Sequence, residues 1–73
     1  MVEVLCIDPH LWIVESGPHS EIRVDECAKW VTEHLGEVST RLEWRNNIID
    51  PEWWICCLMY SESDVRYFQM VWG

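Results

Sequence analysis

Positive charge is scarce in this chain. Four arginines and one lysine stand against 13 carboxylates, for a formal net charge of −8. Nucleic-acid binders draw much of their affinity from Lys and Arg that neutralise phosphates, and anionic membrane surfaces attract the same residues. The sequence therefore argues against direct nucleic-acid binding and against membrane attachment. Glycine and proline are sparse too, at three each. They leave no linker, no low-complexity segment and no Gly-rich phosphate loop. Reading along the chain shows no repeat. The longest uncharged apolar stretch, residues 53–60, falls far short of the roughly 20 residues of a spanning helix. The opening residues, Met1-Val2-Glu3-Val4-Leu5, have neither the basic region nor the apolar run of a secretory signal. The expected location is the cytoplasm.

Metal and nucleophile patterns are missing as well. The four cysteines (Cys6, Cys27, Cys56, Cys57) form no C-x-x-C pair, and the three histidines form no H-x-x-x-H. Structural zinc needs four ligands, commonly from two close pairs. Cys6, Asp8 and His10 alternate, but Pro9 interrupts them at a turn. Cys56 and Cys57 are neighbours on a strand, so they point to opposite faces. Cys27 and His34 are about 10 Å apart along a helix, beyond hydrogen-bond reach. No nucleophile elbow or metalloprotease motif occurs. The expectation is free thiols, no metal, no cofactor and no enzymatic activity.

What is abundant is tryptophan, with six in 73 residues. A chain this short makes one domain, residues 1–73, and buries only about 60% of its unfolded surface. Heavy aromatic packing and self-association are two ways to offset that.

Residues 2–7 and 11–15 read as a β-hairpin turned at Asp8-Pro9, followed by a loop over 16–20. Val24, Cys27, Ala28, Val31 and Leu35 lie on one face of a helix over 24–35. Asp25 is placed to cap its start and Gly36 to end it. Residues 21–24 fit either a strand or an extra helical turn. Residues 38–45 alternate, with Val38, Thr40, Leu42 and Trp44 opposite Ser39, Arg41, Glu43 and Arg45. Asn46-Asn47 and Asp50-Pro51 bracket a turn. Residues 53–60 are apolar on both faces, Ser61-Glu62-Ser63-Asp64 reads as a turn, and 65–72 as a last strand. The order β-β-α-β-β-β predicts a two-layer α+β domain. It has an antiparallel sheet of four to five strands with one helix packed on one face.

One helix covers only one face of a sheet. The other face is expected to carry Trp53, Tyr67 and Val71. Its cover is the N-terminal hairpin folding back, a second copy, or another protein. The C-terminal strand, if at an edge, offers unpaired backbone groups to a dimer partner. A second candidate surface is the acidic side of the helix, formed by Glu21, Asp25, Glu26, Glu33 and Glu37. Carboxylates along a rigid rod imitate a run of phosphates and suit a basic groove.

The profile is short, acidic, aromatic-rich and without catalytic signature. It resembles in type the small inhibitors that phages and mobile elements use against host nucleases and other host enzymes. That resemblance implies a protein-binding inhibitor, a nucleic-acid mimic, with a basic nucleic-acid-handling protein such as a nuclease as partner. The host cytoplasm would be its location if the chain is phage-encoded. The alternative expectation is a self-associating accessory subunit, a homodimer built on the second sheet face and the C-terminal edge strand.

Overall fold

The computed structural model describes residues 1–36, 38–45 and 52–73. The elements run β1 (Val2–Asp8), β2 (Leu11–His19), α1 (Glu21–Leu35), β3 (Ser39–Arg45), β4 (Glu52–Met59) and α2 (Glu62–Trp72). The four strands form one antiparallel sheet in the order β1-β2-β4-β3. The α+β two-layer architecture is the one expected, but with two helices and four strands among the described residues.

The C-terminal segment is a helix, not the edge strand expected for residues 65–72. Its apolar residues fit both periods, and the helical one prevails. Val65, Phe68 and Trp72 make a stripe that drives into the core, with Phe68 fully buried. Met70 shares the strand-like alternation with Phe68, yet it is 76% exposed. The Ser61-Glu62-Ser63-Asp64 stretch is the helix start. Ser61 holds the N-cap position with extended backbone, and Glu62 and Asp64 lie in the first turn, where acidic charge is favoured. Arg66 pairs with Glu62 at 2.6 Å, one turn away.

Helix α1 begins four residues before Asp25. Ser20 caps it, its Oγ accepting from the Arg23 N–H at 3.1 Å. Gly36 ends it at φ 75°, a conformation that costs glycine little. Strand β2 also runs further than expected, because residues 16–19 continue the sheet through a register shift between Ser16 and His19.

Strand β4 is central, as its doubled apolarity implies. Ile55, Cys57 and Met59 are fully buried towards the helices, while Trp54, Cys56 and Leu58 are half-buried on the other face. The core joins these to Val14, Val24, Cys27, Val31, Val65 and Phe68. Both helices lie on this one face. The N-terminal hairpin does not fold over the opposite face. It extends the sheet, because β2 pairs with β4. The antiparallel β3–β4 pair is thus joined to β2 and not to a further C-terminal strand.

The chain consists of two matching ββα halves. A step of 41 residues carries Trp12 onto Trp53, Val14 onto Ile55, Ser16 onto Cys57, Ser20 onto Ser61, Val24 onto Val65, Cys27 onto Phe68 and Val31 onto Trp72. The same step carries Glu15 onto Cys56, and these two are also register partners in the β2–β4 pair. A pseudo-twofold axis therefore passes through the sheet between them. The outer strands match at a step of 38, so Val4 corresponds to Leu42 and Leu5 to Glu43. Side-chain volumes differ between mates, which hides the repeat when the sequence is read by residue identity.

Candidate protein interface

On α1, burying Val24, Cys27 and Val31 against the sheet turns the opposite side of the helix to solvent. Glu21, Asp25, Glu26 and Glu33 are all exposed there, as the spacing requires. Glu37, the fifth expected member, lies outside the described residues. Ile22 stands within this acidic stripe and is 75% exposed. It shares the stripe with Lys29. The sequence reading missed Ile22 as a surface residue, although its place opposite the Val24–Cys27–Val31 stripe was available from spacing alone. Arg23 reaches Glu26 at 3.4 Å. It also lies over the Trp72 ring, 4.4 Å from the centroid, on the side of α1 facing α2.

Trp30, His34, Tyr67, Phe68 and Trp72 fill the seam between the two helices. His34 stacks on Trp30 at 4.7 Å, and Trp30 meets the edges of Tyr67, Phe68 and Trp72 at 5.1, 6.0 and 6.2 Å. His19 sits on the edge of Trp72 and shares a hydrogen bond of 2.8 Å with the buried Ser16 hydroxyl. Burial, the N-terminal ammonium and Arg23 together hold the His19 imidazole below its usual pKa. The buried Trp72 Nε1 has no hydrogen-bond partner among the described residues.

The expected apolar trio does not assemble on the open sheet face. Trp53 points towards the helices and packs against the core. Tyr67 and Val71 are on α2, in the other layer, and partly exposed. The open face instead carries Leu5, Ile13, Trp54, Cys56 and Leu58, flanked by a charged lattice. Arg45 pairs with Glu15 and with Glu43, and Arg41 pairs with Glu43. The two guanidinium groups hold the Glu43 carboxyl below the usual range. Arg45 also lies over the Trp54 ring at 4.6 Å. The arginines of the sheet are thus bound to the protein's own carboxylates. Arg66, on α2, is in a different layer from Arg41 and Arg45, so these residues form no common basic surface with Tyr67.

A recess of about 300 Å³ on the sheet is lined by Ile13, Thr40, Arg41, Cys56 and Leu58. Another of about 290 Å³ lies against Ala28, Lys29, Thr32 and Glu33. Both are at the lower limit for small-molecule sites, roughly 300–1,000 Å³. Among the described residues no group of three His, Cys, Asp or Glu is placed to hold a metal ion. All four cysteines are free thiols. Burial pushes the thiols of Cys27 and Cys57 up to about 12, so neither is a thiolate nucleophile at neutral pH. Cys56 is on the opposite sheet face from Cys57, as strand alternation requires. Among the described residues no helix is long and apolar enough to cross a membrane.

No family model matches this chain, and no curated protein or solved structure shows significant similarity to it.

Proposed function

We propose that this chain is a non-enzymatic, protein-binding inhibitor that docks the outer face of α1 on a basic, nucleic-acid-handling protein in the cytoplasm. The observation carrying this reading is Ile22, three-quarters exposed among Glu21, Asp25, Glu26 and Glu33. An apolar anchor inside a charged rim is the usual anatomy of a binding patch. The rest of the surface supports the same polarity. Arg41, Arg45 and Arg66 are each paired with carboxylates of the chain itself, so the outward field is set by surplus acid. Such a field speeds encounter with a basic surface and rejects acidic ones. In a nuclease groove the carboxylates would occupy the places of phosphates, which makes the chain a nucleic-acid mimic.

The test is affinity capture from host lysate on the immobilised wild-type chain, with E21K/D25K/E26K/E33K and I22S run beside it. The expected partner is retained by wild type and displaced by added DNA or RNA. Its binding weakens at least tenfold between about 50 and about 500 mM salt. Charge reversal abolishes capture, and I22S weakens it by about tenfold or more. Capture that is indifferent to salt and equal on all three proteins would overturn the reading.

A further inference from the structure

The two edges of the sheet are built differently. Edge strand β3 presents Arg41, Glu43 and Arg45 on its outward face, and charged side chains are a common guard against edge-to-edge pairing. Edge strand β1 is guarded more thinly, with Glu3 its one charge before the terminal Asp8. It reads Val-Glu-Val-Leu-Cys-Ile-Asp, and its apolar residues are exposed on both faces, with Val4 at 38% on the helix side and Leu5 at 58% on the other. The pseudo-twofold makes this an internal comparison. Glu3 matches Arg41, and the register shift after Cys6 puts Asp8 in the place of Arg45, but Leu5 stands where the other half has Glu43, the carboxylate that joins both arginines.

The backbone of β1 says which groups are free. The Gly17 N–H donates to the Met1 carbonyl at 3.0 Å. Hydrogen-bonded pairs alternate along an antiparallel ladder, so Glu3 and Leu5 are the residues of β1 that bond to β2. Val2, Val4 and Cys6 then turn their N–H and C=O groups to the open edge. An edge of that kind is a template for another strand.

We infer that β1 pairs antiparallel with β1 of a second copy of this chain, in a register centred on Val4, to make a continuous eight-stranded sheet. Side-chain complementarity selects a second copy and this register. Val4 lies opposite the second copy's Val4, and Val2 opposite its Cys6, forming an apolar ladder on the helix side. On the other side Glu3 lies opposite Leu5, so no two carboxylates face each other. Asp8 falls beyond the paired segment. The two-fold closes the contact, as isologous interfaces do. Helix α1 lies over β4 and β2, away from this edge, so dimerisation leaves the acidic face free and is independent of the function proposed above.

Sedimentation equilibrium of the wild-type chain tests the inference, with V4K as the disrupting variant. Wild type is expected at twice the monomer mass at micromolar concentration. V4K places two ammonium groups face to face and raises the dimer dissociation constant at least about tenfold. Its far-ultraviolet circular dichroism should be unchanged. Cross-linking resolves the register. In a Cys6→Ser background, Val4→Cys sets two thiols on strand residues about 5.5 Å apart between Cα atoms. That is inside the disulfide window of about 4.4–6.8 Å. Val4→Cys/Cys6→Ser should form a covalent dimer on mild oxidation, and Leu5→Cys/Cys6→Ser should not. A wild-type monomer up to about 100 µM overturns the inference. So does mass growing past the dimer, or equal cross-linking at positions 4 and 5.

Discussion

Replacing Gly17 by alanine opposes two effects of opposite sign. Gly17 is buried in β2, and an ideal Cβ there stands 2.8 Å from both Cε2 and Cε3 of Trp54. Ordinary carbon–carbon contact is about 3.5–4.0 Å. The backbone cannot easily retreat, because the Gly17 N–H is bonded to Met1. Moving the ring disturbs the Arg45 guanidinium lying over it. Overpacking of this kind costs about 1–3 kcal/mol. Against it, Gly→Ala reduces the entropy of the unfolded chain and stabilises by about 0.4–1 kcal/mol. The clash wins, with a net loss of about 1–2 kcal/mol. A domain of this size has roughly 4–11 kcal/mol in total, and each kcal/mol moves its Tm by about 4–8 °C. Thermal unfolding followed by circular dichroism should therefore show Gly17→Ala lower by about 4–16 °C. A second background separates the cause. In Trp54→Ala the ring is gone, so adding Gly17→Ala should cost nothing or stabilise slightly. An unchanged Tm in the single variant, or the same penalty in both backgrounds, refutes the close-packing argument.

Phe68→Ala should destabilise by about 3–5 kcal/mol, while Met70→Lys should stay within about 0.5 kcal/mol of wild type. Urea unfolding checks both, and a large loss at Met70 would restore the strand reading of this segment. At pH 8 an aromatic disulfide reagent should modify exposed Cys6 fast and half-buried Cys56 slowly. Cys27 and Cys57 should react only on unfolding, because burial holds their thiols near 12. The depressed pKa of His19 means that the folded state prefers the neutral ring. Its contribution is fully present above the unfolded value of about 6.5 and is lost as pH falls through the lower folded value. The urea midpoint should drop as pH falls below about 6.5, and His19→Gln should flatten that drop.

Where the sequence was legible, one period dominated. Val24, Cys27 and Val31 fit only a helix, and residues 53–60 are apolar on both faces because β4 is central. The last segment was not legible by period. Val65, Tyr67 and Val71 alternate as a strand would, while Val65, Phe68 and Trp72 fit a helix, and only packing separates the two. The deciding local signal was Ser61 with Glu62 and Asp64 behind it, a helix start that also has the composition of a turn. That one ambiguity misplaced Tyr67 and Val71 and hid the second helix, and with it the repeat. Trp53 was a question of parity. The residue facing the helices is fixed by the β2–β4 register, with Ser16 opposite Ile55, and a lone strand does not reveal it. The acidic residues of α1 were readable because exposed positions follow directly from buried ones.

The two halves agree where folding requires it and differ where it does not. Core mates keep their apolar character, as in Val14 with Ile55, Val24 with Val65 and Cys27 with Phe68, and both helices start from serine and glutamate. On the outer helix faces the mates diverge, since Ile22 corresponds to Ser63, Asp25 to Arg66 and Lys29 to Met70. On the outer strands Leu5 corresponds to Glu43. One architecture therefore accepts either set, and the scaffold does not dictate the acidic stripe of α1 or the thinly guarded edge of β1. Features that a scaffold leaves open are where interaction with other molecules can be written. Both such features, the α1 stripe and the β1 edge, belong to the first half of the chain, and in the second half the corresponding strand is guarded by its own ion pairs.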